Sequence, residues 1–213
     1  MKEYWLLPQE EKDALVKKAC DVAHQTESLY GNCVQSVLNG LYEAFPDMGI
    51  TPEMIKGGFG LAGGTCISLK GTCGALAGAA FAISLFYGRP IDDFAGYYDD
   101  CQALIRTVMD AFEEKYGSVL CCDVLTHNLG APYDWKTEEG FKAYNEHNGT
   151  PHDAEVVAFC TDIVARMLVD GKLQYGEDLR PEVDNPYYKS PNTLKKIEAR
   201  NARIAARKAA EGK

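Results

Sequence analysis

The sequence contains no pair of cysteines in C-x-x-C spacing, although it has eight cysteines among 213 residues. This absence argues against a zinc ribbon, a ferredoxin-type loop and a thioredoxin-type dithiol, all of which use that local spacing. The C-x-x-C-H sequence is absent as well, so covalently attached c-type haem is not expected. If several thiols act together, the fold must therefore bring them in from distant segments.

Long apolar runs and an excess of basic charge are also missing. The most apolar window, residues 73–87, is short for a membrane span, and the N-terminal apolar run is too short for a signal peptide. The net charge of −9 disfavours nucleic-acid binding. We therefore expect a cytoplasmic protein without a membrane span. In a reducing compartment its cysteines would be buried thiols, metal ligands or reversible redox groups.

Charge is unevenly distributed along the chain. Residues 194–213 carry seven basic and two acidic side chains, a net of +5, which leaves the rest of the chain at −14. We interpret residues 1–170 as one helical cysteine-motif domain and residues 171–213 as a linker followed by a basic helical tail. This tail could be solvated, fold back on the acidic body or contact a partner.

Helical periodicity predicts an all-α fold, because no strand-type alternation of useful length occurs. Helices are expected over residues 10–29, 33–45, 92–116, 121–129 and 151–169, with a short one after Thr51-Pro52 and a last one after Asn192.

A further predicted helix, capped by Thr72 and running to Tyr87, is apolar on all sides and rich in glycine and alanine. A helix of this kind is normally buried, so we expect a bundle built around it. The glycine-rich stretch 57–66 before it predicts a loop of close backbone approach. Although residues 58–63 match G-x-G-x-x-G, no strand precedes them, which argues against a dinucleotide site.

Four cysteines, Cys33, Cys73, Cys121 and Cys160, are separated by roughly 40 residues each. The first three lie at predicted helix starts, where backbone N–H groups and the helix dipole favour a thiolate. If they converge, they would form a positive pocket for an anionic thiolate cluster, with Cys160 as a fourth contact from mid-helix. The alternative is that they are small apolar residues that fill tight helix contacts.

The remaining cysteines are less specific. Cys66 lies seven residues before Cys73, so both could bind one metal or form one disulfide. Cys122 would point about 100° away from its neighbour on a helix. Cys20 and Cys101 fit apolar helix faces. From the residues alone, three hypotheses stay open: a metal or iron–sulfur centre, a metal-free thiol–disulfide protein, and a binding or assembly module with structural cysteines. A structural zinc site is a lesser fourth option.

Five segments together resemble the C-GCAxxG-C-C family of redox-active proteins: residues 30–38, 57–60, 72–78 and 117–121, and Cys160. The resemblance covers about residues 10–170 and includes an intact Cys-Gly-Ala-x-x-Gly core at 73–78. It implies a helical domain with a cysteine-based redox centre. The leading hypothesis is a cytoplasmic redox or electron-transfer protein with an iron–sulfur cluster, and the sequence does not determine the type of cluster. The candidate ligands of the cluster are Cys33, Cys66, Cys73, Cys121 and Cys160. The protein would exchange electrons with a redox partner protein. The sequence leaves homo-oligomer formation open.

Overall fold

The computed structural model describes residues 3–89, 91, 100–173 and 202. This part of the chain folds into eight α-helices and three short 3-10 helices without a strand, which confirms the predicted all-α class. The predicted linker and basic tail lie outside the described residues, apart from 171–173 and 202, as do the first residues of the helix expected over 92–116. The α-helices are α1 Gln9–Tyr30, α2 Cys33–Ala44, α3 Pro52–Gly57, α4 Gly74–Tyr87, α5 Asp100–Tyr116, α6 Cys121–Leu129, α7 Glu138–Glu146 and α8 Gly149–Val169.

The framework consists of α1, α2 and α8. Along α1 the buried side chains Val16, Ala19, Ala23 and Glu27 recur every three or four residues, so they form one stripe on the helix. This helix packs against both α2 and α8, which also contact each other. The buried stripe is apolar except for Glu27, which lies near the C-terminal end of α1.

Small residues on α4 let it approach α2 closely. A Cβ atom on Gly78 would lie 3.1 Å from the Val37 Cβ and 3.2 Å from the Val34 Cα, so the two helices are in close contact at this point. The same helix also contacts α5 and α8. Its Ser84 is exposed, so α4 is not enclosed on every side by the described residues. None of the described helices has the length and apolar character needed to cross a bilayer.

One local prediction was wrong, and one helix was not predicted. Thr72 does not cap α4, because that helix begins at Gly74 with Cys73 in the N-cap position. The polar stretch 132–149 contains α7, which the periodicity argument missed because this helix has little apolar surface. Its start carried a recognisable signal, since the Thr137 hydroxyl accepts a hydrogen bond from the Gly140 N–H and two glutamates follow the cap.

The contact between α1 and α2 predicts a strong effect of Gly40→Ala. The added Cβ would lie 2.5 Å from the Ala19 carbonyl oxygen and 2.7 Å from the Ala23 Cβ, so the helices must separate. We expect a loss of about 2 kcal/mol in the free energy of unfolding, measured by urea denaturation. The control is Gly57→Ala in α3, where the new Cβ meets nothing within 4 Å and stability should stay equal or rise slightly. Equal losses in both variants would contradict this packing.

Candidate thiol redox site

Three cysteines lie at the starts of three helices, as predicted. Cys33 is the first residue of α2, Cys73 is the N-cap of α4, and Cys121 is the first residue of α6. Asn32 caps α2 by accepting a hydrogen bond from the Gln35 N–H at 3.2 Å. The fourth cysteine, at position 160, lies in the middle of α8 and is fully buried.

An isolated antiparallel bridge between Thr72 and Leu120 joins the starts of α4 and α6. The backbone N–H groups of Cys73 and Cys121 donate to carbonyls across this bridge at 2.8 and 3.0 Å. Side chains alternate between the two faces of extended chain. Thr72 and Leu120 are accordingly exposed, whereas both cysteines are buried. The bridge therefore directs two thiols from distant segments into the same interior.

Two glycines pack closely against the residues that carry these thiols. A Cβ on Gly74 would lie 3.1 Å from the Cβ and 3.4 Å from the Sγ of Cys33. A Cβ on Gly64 would lie 3.0 Å from the Cβ of Cys121. Any side chain at these two positions would press on a thiol-bearing residue.

The four buried thiols gather around Cys73. Cys33, Cys121 and Cys160 each lie near enough to Cys73 for an electrostatic interaction with it. Cys33 also interacts with Cys121. The fold thus brings together the four cysteines that the sequence separates by about 40 residues each, and it draws them from α2, α4, α6 and α8.

Burial, and not the helix dipole, decides the protonation of these thiols. Burial raises the pKa of Cys73 to about 12, although the backbone N–H groups of Ala75 and Leu76 oppose this rise. Burial also raises the pKa of Cys33, Cys121 and Cys160, and neighbouring acidic groups or thiols add to it. The predicted stabilisation of a thiolate at a helix start is therefore present at Cys73 but is outweighed. Without a compensating positive charge, the four thiols are neutral.

Cys66 lies in a different environment. Residues 63–67 all have φ between 54° and 68°, so the glycine-rich loop forms a left-handed turn, closed by the Leu69 N–H donating to the Gly63 carbonyl at 2.9 Å. This conformation costs about 1–2 kcal/mol for each residue other than glycine, and most for the β-branched Ile67. The turn holds Cys66 exposed, whereas Cys73 is buried. A Cys66–Cys73 disulfide stays a prediction.

Two carboxyl groups beside the thiols were missed from the sequence. Glu27 is 5% exposed and accepts a hydrogen bond from the Ser36 hydroxyl at 2.7 Å. Asp153 accepts one from the Tyr144 hydroxyl at 2.6 Å. Burial raises the pKa of both carboxyls, that of Asp153 to about 7. Glu27 had a signal in the sequence because it occupies an apolar-stripe position of α1, whereas Asp153 had none.

A cavity of about 560 Å³ opens beside Cys33. Both missed carboxyls line it, and so does the exposed Cys66. Among the described residues, no three His, Cys, Asp or Glu side chains are arranged to hold a single metal ion. The other cavity-lining residues are Tyr30, Gly31, Asn32, Phe59, Gly60, Ala62, Gly63, Ile67, Trp135, Phe141, Tyr144 and Thr150.

Comparison with known proteins agrees with the cysteine pattern. Residues 31–169, about two thirds of the chain, match the family described as "Putative redox-active protein (C_GCAxxG_C_C)". The chain belongs to this family. The resemblance noted in the sequence is thereby confirmed, and the matched region contains all four buried thiols. No curated protein and no solved structure matches the chain.

Burial predicts a clear order of thiol reactivity in the metal-free protein. A short pulse of iodoacetamide at neutral pH should modify Cys66 first, because its thiol is exposed. Cys33, Cys73, Cys121 and Cys160 should react more slowly by at least about tenfold, because they are buried and neutral. Peptide mass spectrometry gives the order, and unfolding in urea should make all sites equally reactive. Modification of Cys73 at the rate of Cys66 would contradict this arrangement.

The raised pKa of Asp153 predicts how stability depends on pH. Between about pH 4 and pH 7 the folded protein keeps a proton on Asp153 that the unfolded chain releases, so this residue lowers stability as the pH rises. The free energy of unfolding of metal-free Asp153→Asn, relative to that of the wild type, should therefore rise by about 1–3 kcal/mol from pH 4 to pH 7, as measured by urea denaturation. The control is Asp170→Asn, the same substitution at an exposed position just after α8. A constant difference for Asp153→Asn would contradict the shifted pKa.

Proposed function

We propose that this chain is a cytoplasmic electron-transfer protein with an iron–sulfur cluster held by Cys33, Cys73, Cys121 and Cys160. The observation that carries the proposal is the gathering of four buried thiols, from four different helices, around Cys73. Membership of a family described as redox-active supports it. Electrons would come from and pass to redox partner proteins.

The chemistry of the donor set fits such a cluster. Thiolates are the soft ligands that iron–sulfur clusters use. A buried thiol is costly to ionise alone, and a metal centre supplies the positive charge that makes its thiolate stable. Among the described residues, no three His, Cys, Asp or Glu side chains converge on a point where one metal ion could bind. This is compatible with four cysteine ligands of a cluster, because each cysteine can bind a different iron atom.

The surroundings of the thiols also fit. The Ala75 and Leu76 N–H groups lie beside Cys73 and favour its ionised form, and hydrogen bonds to ligand sulfurs are known to tune cluster potential. Glycine at positions 64 and 74 avoids the close contacts that a side chain there would make with Cys121 and Cys33. The Lys115 charge favours the ionised form of Cys160. When bound, the cluster would supply one-electron transfer, while these residues hold and shield it.

A metal-free thiol–disulfide protein is the second candidate. One observation favours it: the exposed Cys66 and the buried Cys33 line the same cavity. A thiol at the surface beside a second thiol is the arrangement that reversible oxidation requires. In this alternative Cys66 is essential. In the cluster proposal Cys160 is essential, and Cys66 is the lesser ligand candidate because it is exposed.

Matched serine variants distinguish the two candidates. The protein is purified without oxygen as wild type, Cys160→Ser and Cys66→Ser, and iron, acid-labile sulfide and visible absorption are measured. We expect the wild type and Cys66→Ser to carry equal iron and sulfide, and Cys160→Ser to lose most of both. Circular dichroism checks that each variant is folded.

Other outcomes redirect the proposal. Loss of the cluster in Cys66→Ser but not in Cys160→Ser would show that Cys66, and not Cys160, is the fourth ligand. A wild type free of iron and sulfide after anaerobic purification and after reconstitution would contradict the cluster. The thiol–disulfide function would then predict that mild oxidation blocks alkylation of Cys66.

A further inference from the structure

The cavity beside Cys33 has aromatic walls. Phe59, Trp135, Phe141 and Tyr144 line it, and the Trp135 and Tyr144 rings meet edge to face with centroids 5.1 Å apart. Phe59 is 66% and Phe141 55% exposed. Large apolar side chains that are exposed together around a concavity mark binding surfaces. The volume of about 560 Å³ lies within the range of small-molecule sites.

The ionisable groups of the cavity point to the charge of its ligand. Its lining includes the carboxyl groups of Glu27 and Asp153 but no lysine, arginine or histidine. Within the described part of the chain, neither carboxyl forms an ion pair with a lysine or arginine. Buried carboxylates are normally paired with a positive charge. In its ionised form Asp153 would repel an anionic ligand.

We propose that this cavity binds a small organic cation, with its charged group beside Asp153 and its carbon body against the aromatic side chains. The faces of aromatic rings attract cations, and tryptophan, tyrosine and phenylalanine are the residues that form such sites. A bound cation favours ionisation of Asp153, whose carboxylate then supplies the opposite charge. This inference goes beyond the proposed redox centre and does not depend on a cluster, although the ligand would lie beside Cys33.

Three probes that share one aromatic ring test the charge preference. Benzyltrimethylammonium, benzyl alcohol and benzenesulfonate are titrated separately into the full-length protein by isothermal calorimetry at neutral pH. We expect the cation to bind at least about tenfold more tightly than the alcohol, and the sulfonate not to saturate. Equal or tighter binding of the alcohol would make this an uncharged apolar site. Saturable binding of the sulfonate, or none of the cation up to about 10 mM, would overturn the proposal.

Two variants with matched controls locate the bound cation. Asp153→Asn keeps the shape of the side chain but removes its charge, so affinity for the cation should fall about fivefold or more while that for the alcohol stays unchanged. Asp170→Asn makes the same change of net charge at an exposed position outside the cavity and should alter neither affinity. Phe59→Ala should weaken binding of the cation, whereas Leu6→Ala, at an exposed residue outside the lining, should not.

The outcome is independent of iron binding. The titrations are repeated on metal-free and iron-loaded protein, and cation binding is expected in both. A second readout is the alkylation of Cys66, which lines the cavity: saturating cation should slow it at least about threefold, while alkylation of Cys122, outside the lining, stays unchanged. If Asp153→Asn fails to fold, the Phe59→Ala comparison and the alkylation assay still decide. Unchanged cation affinity in Phe59→Ala together with unprotected Cys66 would overturn the site.

Discussion

The antiparallel bridge between Thr72 and Leu120 holds the starts of α4 and α6 side by side, and the geometry of the thiol site depends on it. Two backbone hydrogen bonds, from Cys73 and Cys121, complete the contact. Because side chains alternate in extended chain, the same contact exposes Thr72 and Leu120 and buries the two cysteines. Helices α2 and α8 then bring Cys33 and Cys160 to the same interior, so each thiol depends on a different helix being in place.

Burial gives this interior its chemical character. In the absence of positive charge, four neutral thiols and two carboxyls of raised pKa lie close together, and each would resist ionisation for the same reason. The arrangement therefore favours whatever supplies positive charge. At the thiols this would be a metal cluster, and in the adjoining cavity an organic cation. The two proposals share one physical origin, although different residues carry them and different measurements test them.

Much of the fold could be predicted from the sequence because it depends on local signals. Helical periodicity predicted the long helices. Asn32 predicted the helix start at Cys33, and the Gly117-Ser118 turn predicted that at Cys121. In contrast, Thr72, the cap predicted before Cys73, is not the cap of α4. The bridge could not be predicted in this way, because a contact of one residue pair across 48 positions leaves no periodic pattern. The left-handed turn at residues 63–67 could not be predicted either, because a β-branched residue such as Ile67 normally disfavours positive φ.

The site was predictable only in part for a related reason. The spacing of the cysteines indicated that a site would need the fold to assemble it, but Asp153 looks like any polar residue of a helix. Its raised pKa comes from burial when α8 packs against the rest of the bundle, which is a tertiary effect. Glu27 could have been found, because a charged residue in the apolar stripe of α1 requires a partner, and Ser36 provides one.

Mössbauer spectroscopy tests most directly whether the buried thiols hold iron in a sulfur environment. The full-length protein would be produced with isotopically enriched iron and purified without oxygen. We predict spectra of tetrahedral, sulfur-ligated iron that belongs to a single cluster. Iron-free protein, or iron bound through nitrogen and oxygen ligands, would contradict it.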